Sequence, residues 1–295
     1  MIQLIDISLV RLLIDSQFPK WQHLSIIPVR ESGWDNRTFK LGNKMLIRLS
    51  SAEPYEHQVE KEQLWLPRLS PQLTLPIPLP IALGQPGYGY PFKWSIYHWL
   101  EGDSISFSIN LNLVDIAEKL TAFLIALHKI KTTDGPLAGK QNFYRGGCLA
   151  IYDHETKLAM QSLNNKIDIS ACRAIWNTSL ESSWDLPPLW VHGDISSGNL
   201  LVKEGKLYGV IDFGQLCIGD PACDLAISWT LFHGKSREIF QKAINFDKRR
   251  WERARGWTLW KALITASGLS NPNNMEAKKC FAILDDLIKE HYEKK

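Results

Sequence analysis

The spacing of apolar residues changes several times along the first hundred positions. Ile2, Ile5, Leu9, Leu12 and Leu13 recur near helical spacing and predict a first helix over residues 2–14. From Leu24 to Leu49 the pattern breaks into short apolar stretches. Thr38–Leu41 and Lys44–Leu49 flank Gly42-Asn43 and predict a β-hairpin with a Gly-Asn turn. Glu56–Leu69 returns to a helical period and must end before Pro71. The run Pro76-Ile77-Pro78-Leu79-Pro80 fits neither a helix interior nor a central strand, so it reads as an extended connector. Trp94–Leu100 predicts a strand, closed by the turn Glu101-Gly102-Asp103.

Beyond that turn the period becomes helical. Leu113, Ile116, Ala117, Leu120, Phe123, Leu124 and Leu127 form one stripe. The exception is Leu200 to Phe213, where Leu200–Val202 and Leu207–Ile211 flank Lys203-Glu204-Gly205-Lys206, a second hairpin signal. A strand-rich beginning and a helix-rich remainder predict an α+β chain of two lobes, 1–100 and 103–295, with a hinge near 96–102.

Composition narrows the class. With 295 residues, 45% hydrophobic and 22% charged, disordered and fibrous chains are excluded. The net charge of +3 is too mild to call for a nucleic-acid or membrane partner. Five cysteines without a C-x-x-C pair support neither a disulfide scaffold nor a structural zinc site. No run of eighteen apolar residues occurs, and the first residues lack a basic leader, so a reducing cytoplasm is the expectation.

The chemistry concentrates between Val191 and Trp229. His192-Gly193-Asp194 is followed after four residues by Asn199, and after the second hairpin by Asp212-Phe213-Gly214. Phosphoryl transfer asks for a carboxylate to orient an attacking hydroxyl and for oxygen ligands to a Mg²⁺ ion on the phosphates. An Asp, an Asn and a second Asp in this order match that requirement.

The set His192-Gly193-Asp194-x-x-x-x-Asn199, Ile211-Asp212-Phe213-Gly214 and Gly219-Asp220-Pro221-x-x-Asp224-Leu225-Ala226 resembles the aminoglycoside phosphotransferase and related small-molecule kinase superfamily. The resemblance implies a bilobal protein-kinase-like fold with ATP or GTP as co-substrate and a small hydroxylated acceptor. It implies no nucleic-acid or membrane partner, and a monomer or dimer. By it, Asp194 is the catalytic base, and Asn199 and Asp212 are Mg²⁺ ligands. Asp224 anchors the backbone of the catalytic loop, and His192 supports that loop rather than acting as a base. The resemblance further pairs Arg48, on the predicted strand, with Glu60 on the next helix, and Arg48 meets the nucleotide phosphates. Ser32 and Gly33 fall in a phosphate-covering loop. The His98 carbonyl and the Leu100 N–H fall where the adenine edge would lie.

The acceptor is open at this level. Kinases of polycationic aminoglycosides bind them on an acidic surface, whereas Leu225–Lys295 holds fourteen Lys and Arg against eight Asp and Glu. Lys248, Arg249, Arg250, Arg253 and Arg255 read as a solvated helix face. Trp257 and Trp260 share a helix face and fit either core packing or a stacking wall. An antibiotic kinase leads. A housekeeping kinase of an amino alcohol, sugar or fructosamine-like metabolite follows, and a non-catalytic kinase-like binding module stands third.

Overall fold

A computed structural model describes residues 4–29 and 35–293. Helix α1 (Ile7–Gln17) begins later than the apolar period alone predicts, because the Asp6 carboxylate accepts from the Leu9 N–H at 2.9 Å and caps it there. Five strands follow: β1 (Ile26–Pro28), β2 (Asn36–Leu41), β3 (Met45–Ser50), β4 (Pro80–Gly84) and β5 (Trp94–His98). They form one antiparallel sheet in the order β1-β2-β3-β5-β4. Leu41 pairs with Met45, so the first turn takes three residues, with Gly42 at φ 56°. The Pro-rich connector runs into β4, and an edge strand tolerates Pro80.

Strand alternation gives the sheet two faces. Phe39, Leu41, Ile47, Leu49, Trp94 and Ile96 pack with Leu9, Val10, Leu13 and Ile14 of α1 in one core. The residues between them, Arg48, Ser95 and Tyr97, meet α2 (Glu56–Leu69) instead. The buried side of α2 carries Gln58, Val59, Glu62, Trp65, Leu66 and Leu69, a helical period of three and four.

The chain leaves this sheet after His98. Strand β6 (Asp103–Ser104) belongs to another sheet, ordered β6-β8-β9 with β8 (Leu200–Lys203) and β9 (Lys206–Val210). Gly102 sits at the crossing with φ 115°, where a Cβ would stand 2.8 Å from the Val202 carbonyl oxygen. The β8–β9 turn is Glu204-Gly205, both in the left-handed region, the geometry that matches strand twist. Strands β7 (Leu189–Val191) and β10 (Cys217–Gly219) form a further antiparallel pair. Each has three residues, too few to show a period in sequence.

The helices of the second lobe are α3 (Leu113–Lys129), α4 (Asp153–Ser162), α5 (Ile169–Glu181), α6 (Ile227–Thr230), α7 (Gly234–Ile244), α8 (Lys248–Ala266) and α9 (Asn274–Glu293). Helix α8 is buried over most of its circumference between α5 and α9. The expectation of a solvated basic face fails there: Arg250 and Arg253 are 7% and 5% exposed. Arg253 is buried because its guanidinium meets Asp220 at 2.6 Å. No helix among the described residues is long and apolar enough to cross a membrane.

The close approach of β4 to β5 can be tested at Gly84, where a Cβ would fall 2.0 Å from the buried Trp94 indole. Gly84→Ala is expected to lower stability by about 1–3 kcal/mol. An unchanged urea midpoint would contradict this packing.

Candidate active site

Residues 164 positions apart meet at Arg48. The residue is 9% exposed, and its guanidinium reaches both Glu62 oxygens, at 3.0 and 3.2 Å, and Asp212 Oδ1 at 2.8 Å. Tyr97 donates its hydroxyl to the same Glu62 carboxylate. Burial disfavours the charge on Arg48, but the two carboxylates more than offset it and hold the guanidinium charged. For Glu62, burial outweighs the nearby guanidinium and raises its pKa.

This corrects the expected ion pair. Glu60 points away from the network and bonds Lys93 at the surface, with a side chain 58% exposed. Position 62, unlike 60, lies in the apolar stripe Val59–Trp65–Leu66–Leu69, and a Glu inside that stripe was the legible signal. Two further α2 side chains reach the Asp212-Phe213-Gly214 segment. Lys61 Nζ donates to the Gly214 carbonyl at 2.6 Å, and Gln58 packs where a Gly214 Cβ would collide with it at 2.6 Å. Burial pulls Lys61 down to about 8. Asp35 also faces this cluster: burial and the nearby Asp212 raise its pKa, while Arg48 and a hydrogen bond from Gln58 lower it. Ser32 and Gly33 lie outside the described residues.

Asp212 adopts φ 65° and ψ 71°, a conformation that costs a non-glycine residue energy and that surrounding contacts must hold. Burial would raise its pKa, but the charge and hydrogen bond of Arg48 bring it below the ordinary carboxylate value. Strand β9 ends just before it, and the Ile211 N–H donates to the Asn199 carbonyl at 2.9 Å. The hairpin thus sets Asp212 beside the loop that carries Asp194 and Asn199.

That loop is fixed from below. Asp224, fully buried, accepts the His192 N–H and the Gly193 N–H, each at 2.8 Å. Gly193 has φ 85°, and a Cβ there would stand 2.6 Å from the Gln215 carbonyl oxygen, so no larger residue fits. Burial raises Asp224 to about 7 against the pull of those two hydrogen bonds. His192 accepts the Asp194 N–H on Nδ1 at 3.2 Å, which leaves its Nε2–H to donate to the Ile211 carbonyl at 3.1 Å. This is a neutral imidazole, pushed down to about 4 by burial. It supports the loop, and its ring nitrogens are both engaged.

Asn199 donates its amide to the Asp194 carboxylate (Oδ2) and to the Asp194 backbone carbonyl, both at 2.9 Å. Its side-chain carbonyl oxygen has no protein donor among the described residues. The Asp194 carboxyl is half-buried. Desolvation raises its pKa, Arg145 and Lys261 lower it, and Asp212 raises it. His98 closes β5 with its N–H bonded to the Leu79 carbonyl at 2.8 Å, and Leu100 follows in the crossing segment.

Sequence reasoning missed Asn142. Fully buried, it accepts from the Gly139 N–H at 2.9 Å and donates to the Arg145 and Gln215 carbonyls at 2.9 and 3.1 Å. It therefore ties the loop before α4 to the segment beneath Asp194. Only tertiary contact distinguishes it from any surface Asn.

The sequence matches the profile of the phosphotransferase enzyme family over residues 26–257. The chain belongs to that family. Over 42 residues it is 50% identical to an aminoglycoside 3'-phosphotransferase of Escherichia coli, a segment covering 14% of this chain and 16% of that relative. Over 55 residues it is 46% identical to an aminoglycoside 3'-phosphotransferase of Salmonella typhimurium, covering 17% of this chain and 20% of that relative. The match thus spans a fifth or less of these curated relatives. Among solved structures, the GDP complex of aminoglycoside 2'-phosphotransferase-IIIa superposes with a TM-score of 0.69 at 15% identity, covering 96% of this chain and 98% of that one. A thermostable mutant of aminoglycoside phosphotransferase APH(4)-Ia with AMP-PNP and hygromycin B gives 0.65 at 17% identity, covering 95% and 97%. At these identities the likeness is one of fold: this phosphotransferase family member shares the bilobal kinase-like architecture.

Two measurements follow. Glu62→Gln removes a buried partner of Arg48 and is expected to cost on the order of 3 kcal/mol in urea unfolding, whereas Glu60→Gln stays within about 0.5 kcal/mol. Equal effects would restore Glu60 to the network. His192 and His128 are both held near 4 when folded and titrate at 6.5 when free. At these two sites the unfolded chain therefore binds more protons, and their contribution to stability is lost as pH falls from about 6.5 to 4, by up to about 3 kcal/mol for each. Asp224, raised to about 7 in the fold, takes up a proton over the same range and offsets this loss, so the check is on the rings themselves: a His192 or His128 imidazole that titrates near 6.5 by NMR in the folded chain would exclude a buried neutral imidazole.

Proposed function

We propose that this chain is a Mg²⁺-dependent O-phosphotransferase that moves the γ-phosphoryl group of ATP or GTP to a hydroxyl of a small molecule. The observation that carries the reading is the meeting of Asp194, Asn199 and Asp212 around one hairpin, with Arg48 bonded to Asp212. The donor set fits a hard cation: one Asp212 carboxylate oxygen and the Asn199 carbonyl oxygen remain for it. No cluster of three or more His, Cys, Asp or Glu side chains that could hold a metal occurs among the described residues, so an ion here draws its remaining ligands from phosphates and water. When bound, Mg²⁺ neutralises phosphate charge in the transition state.

The roles of the protein groups then follow. Asp194 accepts the proton of the acceptor hydroxyl as the new O–P bond forms and the bond to the bridging β-γ oxygen breaks, leaving the diphosphate with the electron pair. Asn199 orients the Asp194 carboxylate through its amide. Asp224 and neutral His192 hold the loop in place without entering the reaction. Arg48, fixed by Glu62, directs positive charge to the phosphate side of the cleft. The His98 carbonyl and the Leu100 N–H lie at the inter-lobe crossing, where they receive the base. Several solved relatives are complexes with aminoglycosides, kanamycin among them. Aminoglycosides are therefore the first acceptors to test, in line with a role in antibiotic resistance, with amino alcohols and sugars beside them.

In a nucleotide-consumption assay, Asp194→Ala should reduce transfer by about 10²–10⁴-fold while nucleotide binding persists. Substantial remaining activity would remove Asp194 as the base. Asp212→Ala should weaken Mg²⁺-dependent nucleotide binding by calorimetry, and unchanged binding would remove it from the metal site.

A further inference from the structure

Lys61 lies between two glutamates that are both engaged elsewhere, Glu60 with Lys93 at the surface and Glu62 with Arg48. Successive side chains on a helix point apart, so neither glutamate is its natural partner. Lys61 enters no ion pair among the described residues; its ammonium instead reaches the second lobe and donates to the Gly214 carbonyl at 2.6 Å. Gln58, one turn earlier on the same helix and 2% exposed, fills the space that a Gly214 Cβ would need. One side of α2 therefore grips Gly214 twice, by a charge on its carbonyl and by an amide packed against its backbone.

This grip bears on the backbone of Asp212. At φ 65° and ψ 71° that residue keeps its conformation only if the chain is fixed on both sides of it. Before it, the Ile211 N–H is bonded to the Asn199 carbonyl at 2.9 Å. After it, Phe213 is fully buried with its ring 4.5 Å from the His192 ring, and the Leu216 N–H closes the turn on the Phe213 carbonyl at 2.9 Å. Gly214 has no side chain to anchor that turn, and Lys61 and Gln58 supply the anchor from the other lobe. Arg48 cannot take over the task. It holds Asp212 by the carboxylate oxygen Oδ1, where a cation competes with it, whereas Lys61 holds the backbone and leaves the carboxylate free.

We propose that Lys61 is a positioning residue, whose hold on the Gly214 carbonyl keeps Asp212 in the conformation that presents its carboxylate to Mg²⁺. The metal half of this proposal rests on the phosphotransferase reading above; the backbone half does not. The full chain is compared with Lys61→Met, which keeps the aliphatic stem and removes the donor, and with Lys61→Arg, which retains a charged donor. Lys93→Met, at a surface pair, is the control. Amide hydrogen exchange at Leu216 is followed first, without nucleotide or metal. Lys61→Met should exchange there about tenfold faster, and Lys93→Met at the unmodified rate. Calorimetry then measures ADP with and without Mg²⁺. Lys61→Met should lose about tenfold of the affinity that Mg²⁺ adds while its Mg²⁺-free affinity, the check on folding, holds. Lys61→Arg should recover most of both effects. The proposal is overturned if Lys61→Met leaves either the Leu216 exchange or the Mg²⁺ gain unchanged. It is overturned too if affinity falls equally with and without Mg²⁺, which would mark a general loosening of the lobe, or if Lys61→Arg is as impaired as Lys61→Met. An unmodified chain whose ADP affinity ignores Mg²⁺ would instead refute the metal assignment, and exchange at Leu216 would still decide whether Lys61 holds the turn.

Discussion

A buried guanidinium cannot sit in a protein interior without carboxylates around it, and Arg48 meets that demand by recruiting them from two distant parts of the chain. Glu62 comes from the helix packed on the sheet, and Asp212 from the far side of the inter-lobe crossing. Removing either leaves Arg48 with a single carboxylate in a low-dielectric site. The position of α2 on the sheet is therefore tied to the position of the Asp212-Phe213-Gly214 segment. Lys61 on the Gly214 carbonyl and Gln58 against Gly214 reinforce the same tie. The position of the Asp212-Phe213-Gly214 segment is thus set by contacts that lie mostly within the protein.

The loop carrying Asp194 follows a second rule. Its backbone N–H groups are satisfied by one buried carboxylate, Asp224, and its histidine is neutral and doubly hydrogen-bonded. Backbone and imidazole are both used up in support of the loop that carries Asp194. The Arg145 guanidinium, by contrast, enters no ion pair or side-chain hydrogen bond among the described residues and lies over the Trp260 ring, 4.6 Å from its centroid. One fold can serve many chemistries through the side chains grafted on it, which is why fold likeness alone does not name an acceptor.

Much of this was legible in the chain. The hairpins at residues 38–49 and 200–211 and the helices at 56–69 and 113–129 follow from periodicity and turn chemistry, which are local. Asp194, Asn199 and Asp212 stand out because their spacing is short and ordered, and the fold brings them around one hairpin. Glu60 was chosen over Glu62 because the reading counted positions along the helix instead of asking which charge lay within its apolar stripe. Arg250 and Arg253 were read as solvated because charge favours water until a partner such as Asp220 is supplied by another element. Strands β7 and β10 escaped notice because three residues carry no period.

Local order and chemical type, then, were determined by the sequence itself: where helices and hairpins form, and which side chains could handle a phosphoryl group. Pairing was decided only by the tertiary structure. Whether Arg48 meets Glu60 or Glu62 and whether Arg253 is wet or buried depend on which surfaces pack together. Desolvation turns those distances into energy, and no spacing along the chain encodes it.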